Sequence, residues 1–190
     1  MELNFRNITI SGGVATGKNT LLENLKPFLA PLEWKFASGG IILRQYLKEY
    51  KHPLASLGDE KIHRIIDNKT IVLLKEEKYV IESWLAGFMA RNFDNTLRVL
   101  LICSNPALKI DRVVNRDKVT IEQAKRMIKE REEDNIRTWK KIYGNFEFFD
   151  PKYYHLVIDT YSSGPLETVG KVLDRLGFKN KKIKTTSHSA

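Results

Sequence analysis

The chain has 190 residues and a single cysteine. Without a second thiol no disulfide can form within it, so the fold must rest on its core, and a reducing, cytoplasmic setting is expected. Cys103 ends the apolar run of residues 99–103 and reads as a core residue. No apolar run approaches the length of a transmembrane helix. Nothing at the N-terminus resembles a secretion signal. Internal repeats are lacking, and so is low-complexity sequence outside the C-terminal tail. That tail lacks acids: from Phe178 on it carries Lys179, Lys181, Lys182 and Lys184 with no Asp or Glu. It also lacks aromatics after Phe178, which disfavours a nucleic-acid-binding segment. Residues 178–190 are therefore expected to be a solvated basic tail.

What remains is ordinary for one globular domain: 42% hydrophobic and 29% charged residues, in a chain long enough to bury a real core. The net charge of +9 is less ordinary. Residues 98–141 hold twelve Lys or Arg against seven Asp or Glu. Nucleic acid and polyphosphate substrates both suit such a surplus. The arginines here are spaced along helices and not interleaved with aromatics, which favours small anionic substrates. No membrane partner is indicated, and a monomer is expected.

The most informative segment is residues 8–20, Ile-Thr-Ile-Ser-Gly-Gly-Val-Ala-Thr-Gly-Lys-Asn-Thr. A β-branched run reads as a buried strand. Gly12, Gly13, Val14, Ala15, Thr16, Gly17 and Lys18 then give the G-x-x-x-x-G-K spacing, and Leu21, Leu22 and Leu25 follow at helical intervals. Strand, glycine loop and helix together make a P-loop. Glycines let successive N–H groups turn inward around a phosphate. The helix start aims its positive end at the same anion, and Lys18 adds a mobile charge. The residue after the lysine is normally Ser or Thr, whose hydroxyl reaches Mg²⁺. Here it is Asn19, with Thr20 next. An amide carbonyl is also a hard oxygen donor, so Asn19 and Thr20 are the candidate Mg²⁺ residues.

The rest of the chain alternates strands and helices. Strands are expected at residues 7–11, 34–37, 79–81, 97–103 and 155–158. Helices are expected at residues 19–28, closed by Pro27 and Pro31, then from 41 to about 48, and at 59–77, 107–115, 121–143 and 165–176, the last capped by Gly177. This pattern implies an α/β fold of three layers, with a five-stranded parallel sheet between helices. Ligands of such sheets gather at the carboxyl ends of the strands. Those ends are Ser38-Gly39, Glu82-Ser83-Trp84, Cys103-Ser104-Asn105 and Asp159-Thr160.

Several segments, in order, carry a resemblance. They are Phe36-Ala37-Ser38-Gly39-Gly40 with Arg44, the stretch Ile81 to Met89, Arg116-Asp117, Arg131-Glu132-Glu133-Asp134, Trp139 to Gly144, and Leu156 to Thr160. Together they resemble the cytidylate kinases, in particular the short archaeal-type nucleoside-monophosphate kinases, over about residues 7–177. The resemblance implies an ATP- and Mg²⁺-dependent phosphotransferase acting on CMP or dCMP. It implies an acceptor-binding region at about residues 38–77 and an arginine-rich lid at about 107–145. Lys18, Arg116 and Arg131 would act on the transferred phosphoryl group, with Arg112 and Arg137 on ATP. Ser38, Gly39, Arg44, Arg64, Asp67, Glu82, Trp84 and Gly87 would face the acceptor.

The departures are specific. Ser83-Trp84 stands where that family has Gly-Arg, an arginine that would hold the acceptor phosphate; Arg64 and Arg91 are the candidates to replace it. Asn19 replaces Ser or Thr, His63 stands where an acid is expected, and Arg137-Thr138-Trp139 replaces a double arginine before an aromatic. Two alternatives stay open: a kinase for another monophosphate such as AMP or UMP, and a P-loop nucleotide-binding or RNA-associated protein with little turnover.

Overall fold

The computed structural model describes residues 3–42 and 60–179. The expected helix from residue 41, Arg44 within it, and the basic tail lie largely outside the described residues. Five strands form one sheet: β1 (Asn7–Ser11), β2 (Lys35–Ser38), β3 (Tyr79–Glu82), β4 (Thr96–Ile102) and β5 (Leu156–Asp159). Their order is β2-β3-β1-β4-β5, and every pairing is parallel. Among the described residues, the helices of a turn or more with both ends described are α1 (Lys18–Leu29), α2 (Glu60–Leu74), α3 (Ala86–Met89), α4 (Pro106–Asp117), α5 (Ile121–Tyr143) and α6 (Pro165–Leu176).

Strand β1 is buried along its whole length, as a central strand covered on both faces must be. Its side chains alternate. Ile8 and Ile10 enter a core with Leu21, Leu22, Leu25 and Leu29 of α1 and Val169, Val172, Leu173 and Leu176 of α6. The opposite face of β1 is polar, and two of its three side chains are held. Asn7 donates to the carbonyls of Leu74 and Glu76 and accepts from the Tyr79 amide. Ser11 Oγ accepts from the Gly87 amide at 2.7 Å. These bonds tie α2 and α3 to the sheet.

Most boundaries move by one to three residues from expectation. Helix α1 continues through Pro27 to Leu29. Proline so near the end breaks only a bond of the last turns, and Leu29 gains a fully buried position. Helix α2 stops at Leu74, because the next residues turn to feed β3. Helix α3 was not foreseen; at four residues it is too short to show a period. Asn105 caps α4 by accepting from the Leu108 amide. Helix α5 opens on a full capping box between Thr120 and Gln123.

The order of strands places the site. From β1 the chain runs to the far edge at β2, returns to β3, and then crosses to β4 on the other side of β1. Connections leave β1 in opposite directions from its two neighbours, which opens a crevice at its carboxyl end.

Candidate functional site

The loop at residues 12–17 fills the head of that crevice. Gly12 has φ 148°, and a Cβ there would sit 2.4 Å from the Leu101 carbonyl oxygen. Only glycine tolerates both constraints. Gly17, at φ 86°, precedes α1 in a left-handed conformation. Ala15 also has positive φ, at 56°, a conformation an alanine holds only when its surroundings impose it. Here Arg112 does so: its guanidinium donates to the Ala15 carbonyl at 2.9 Å and to Thr160 Oγ1 and O at 2.9 and 3.0 Å.

Lys18 Nζ donates to the Gly13 carbonyl at 2.7 Å. It lies 5.2 Å from the centre of the Trp84 ring, and the Arg131 guanidinium lies 5.7 Å from the same ring. Two cations thus converge on one aromatic face system. Desolvation brings the Lys18 pKa down to about 8, with Arg131 and Arg116 adding repulsion and Glu82 opposing them. Burial also lowers the Arg131 pKa from its usual value. An anion placed among these groups would relieve both effects.

The loop opens on a cleft of about 930 Å³. Its wall near the glycine loop comprises Val14 to Thr20, Arg112, Arg116 and Arg131. Its far wall comprises Ser38, Gly39, His63, Asp67, Glu82, Ser83, Trp84 and Trp139. Gly39 lets the backbone pass Ser83, since a Cβ would meet Ser83 Cβ at 2.9 Å. Glu82 is buried at the end of β3 and accepts from Ser38 Oγ at 2.8 Å.

Asp67 is 4% exposed. Burial raises its pKa to about 6, although Tyr143 donates to Oδ2 at 2.6 Å and pulls the other way. One turn earlier on α2, His63 Nδ1 accepts from Trp139 Nε1 at 3.0 Å. Asp67 and His63 therefore join α2 to α5 through two bonds in the same register, four residues apart on each helix.

Not every expected residue reaches the cleft. Arg64 is exposed and outside the lining. Arg137 is exposed, also outside it, and pairs with Asp134 at 3.0 Å within α5. Gly87 is buried behind the site; a Cβ there would lie 2.4 Å from Tyr154 Cε1, so its need for glycine is one of packing. Arg91 turns to the Phe88 carbonyl and ring. Arg116 does line the cleft, held bidentate by Asp117 at 2.7–2.8 Å.

The sequence reading missed Glu132, whose carboxylate touches the P-loop. For Glu132 a signal existed. It falls on the face of α5 that includes Ile128, Asn135 and Trp139, where a solvated glutamate has no place.

Among the described residues no group of three or more His, Cys, Asp or Glu side chains is arranged to hold a metal. Asn19 and Thr20, exposed on the first turn of α1, and the Glu82 carboxylate are hard oxygen donors on the same cleft. Such a sparse set suits Mg²⁺ bound mainly through phosphates and water.

Comparisons with known proteins bear on the family and the fold. The sequence pattern of the cytidylate kinase-like family matches residues 35–162. The cytidylate kinase of Thermococcus kodakarensis is 34% identical over 164 residues, covering 83% of this chain and 81% of that protein. Among solved structures, a gluconokinase from Sinorhizobium meliloti superposes with a TM-score of 0.60 at 14% identity, over 93% of this chain and 94% of that one. A shikimate kinase from Acinetobacter baumannii, in complex with shikimate, gives 0.56 at 17% identity, over 90% and 92%. At such identities the structural likeness speaks for the fold alone.

Proposed function

The chain belongs to the cytidylate kinase-like family, and from that premise we propose that it transfers the γ-phosphoryl group of ATP to CMP or dCMP. The observation that carries this reading is the shared cleft. The P-loop with Lys18 forms one wall, and a wall with two buried carboxylates, Asp67 and Glu82, faces it. A phosphate cradle alone would fit any P-loop protein. A second half-site of this size beside it fits a second substrate.

The chemistry asks for no general base. The acceptor is a phosphate oxyanion, already mostly ionised near neutral pH. Catalysis then consists of alignment and charge neutralisation. The amides of residues 14–18 and the start of α1 bind the donor phosphates. Lys18 leaves the Gly13 carbonyl and follows the moving phosphoryl group. Arg131 and Arg116 line the path between the walls and neutralise charge that develops there. Arg112 works indirectly, by holding Ala15 in the strained conformation that shapes the loop. Asn19, Thr20 and Glu82 would hold Mg²⁺, whose charge screens the donor oxygens. Trp84, in the place of an arginine, gives the acceptor a flat aromatic floor next to Lys18. Asp67 accepts from the exocyclic amine of cytosine, a donor that uracil lacks.

A panel assay tests this: purified protein, Mg-ATP, and CMP, dCMP, UMP, AMP and GMP in parallel, with ADP formation as readout. Turnover with CMP or dCMP above the others is expected. A preference for AMP or UMP would move the assignment within the kinases. Nucleotide binding without turnover on any acceptor would overturn it.

A further inference from the structure

Glu132 places a carboxylate on the P-loop. Its Oε1 accepts from the Val14 amide at 3.2 Å and from Lys109 Nζ at 2.7 Å. It is packed so closely that a Cβ on Gly13 would lie 2.8 Å from the same oxygen. Glu130 and Glu133, its near neighbours on α5, are exposed, whereas Glu132 is half-buried. Its charge also reaches Lys18, where it favours the ammonium form.

A P-loop is a concave set of amides built for an anion. A protein carboxylate bound at its rim is therefore an anion in an anion site. A polyphosphate arriving at the loop meets this charge within a few ångströms, where like charges repel strongly. Lys109 neutralises part of that charge and keeps the glutamate on the loop. The geometry points to Glu132 as the residue that sets donor-phosphate affinity: a built-in anion that ties the lid helix to the P-loop and is displaced from the Val14 amide by the incoming polyphosphate. Arg131 is the adjacent residue on the same helix. The exchange consequently couples occupancy of the loop to the position of a cleft arginine, and donor binding releases α5 from the loop. This rests on reading residues 12–18 as the donor-phosphate cradle, and not on the identity of the acceptor.

The experiment is calorimetric titration of the full chain with sodium tripolyphosphate, and separately with ATP. Wild type, Glu132→Gln and Glu132→Ala are compared. Glutamine keeps the volume and an acceptor oxygen for Val14, so it removes the charge alone. Both variants are expected to bind tripolyphosphate about five- to tenfold more tightly at low ionic strength. The gain should shrink in about 0.5 M salt, where charges are screened within a few ångströms. KM for ATP should fall in parallel. Equal or weaker tripolyphosphate binding by folded Glu132→Gln would overturn the inference, and so would a gain insensitive to salt. Tripolyphosphate binding by wild type without turnover on any monophosphate would remove the proposed activity and leave this inference intact. A wild-type protein that binds no tripolyphosphate would remove both.

Discussion

Asp67 offers a quantitative test, because its burial makes stability depend on pH in an unusual direction. The carboxyl is 4% exposed, and desolvation raises its pKa from 3.8 to about 6 against the opposing bond from Tyr143. The native state therefore prefers to keep the proton. Below pH 3.8 the carboxyl is protonated in both folded and unfolded chains and costs nothing. Between 3.8 and about 6 the unfolded chain ionises first, and stability falls as pH rises. Above about 6 the full cost applies. Two pKa units correspond to about 3 kcal/mol. Linkage gives a cost of about 1 kcal/mol at pH 4.5 and about 3 kcal/mol at pH 7.5. Asp67→Asn removes the titration and keeps an oxygen for Tyr143. The variant should gain about 2 kcal/mol on wild type between those two pH values, or about 1 M in urea midpoint for a slope near 2 kcal/mol per molar. Urea unfolding of both proteins at both pH values measures this. A stability difference that is the same at pH 4.5 and 7.5 would refute the reasoning. The same carboxyl gives a functional readout. An amine donates to the ionised form, so KM for CMP should rise more steeply below about pH 6 in wild type than in Asp67→Asn, where only protonation of the substrate's own phosphate is left.

Four further outcomes are expected. Lys18→Ala should keep its circular dichroism spectrum and lose about 10²–10³ in kcat, the usual effect of deleting a charge aimed at the transition state. In wild type, kcat/KM for ATP should fall as pH rises through about 8, where desolvated Lys18 loses its proton, and saturating ATP should move the limb of kcat to higher pH because bound phosphate favours the ammonium form. Arg131→Ala and Arg116→Ala should each lower kcat tenfold or more with modest change in KM, whereas Arg137→Ala, outside the cleft, should alter steady-state constants by less than about twofold. Gly87→Ala should lower stability by about 1–3 kcal/mol in thermal or urea melts, since the new methyl meets the buried Tyr154 ring.

The fold was legible wherever a residue pattern reports a local constraint. The β-branched run of β1, the leucines of α1 and the cap of α6 each report the surroundings of one element, so they can be read along the chain. The P-loop was legible for the same reason: residues 12–18 need each other within seven positions. What could not be read is what only meets across the fold. Arg112, Arg116, Arg131 and Arg137 form one arginine-rich stretch in sequence, yet they part ways in space. Arg112 braces Ala15, Arg116 is held by Asp117, Arg131 stands over Trp84, and Arg137 pairs within its own helix. Spacing gives a face of a helix, but not what the face meets. Gly87 misled for a related reason. A glycine after a strand end near the site suggests ligand approach, and here the approaching group is the Tyr154 ring.

Glu132 shows how the second kind of information can still be recovered. Its neighbours on the inward face of α5 are apolar or buried, and a charge in such a row must be answered by a partner on whatever packs there. The row therefore predicts a contact without naming it. The sheet order names it: β1 sits between β3 and β4, so the loop after β1 lies where α4 and α5 return over the carboxyl ends. Helix face and strand order, each readable separately, jointly place a carboxylate at the P-loop. Asp67 and Tyr143 follow the same logic on α2 and α5. In this chain a charged residue that breaks an apolar row marks a contact across the fold, while three of the four arginines of the crowded stretch line the cleft itself.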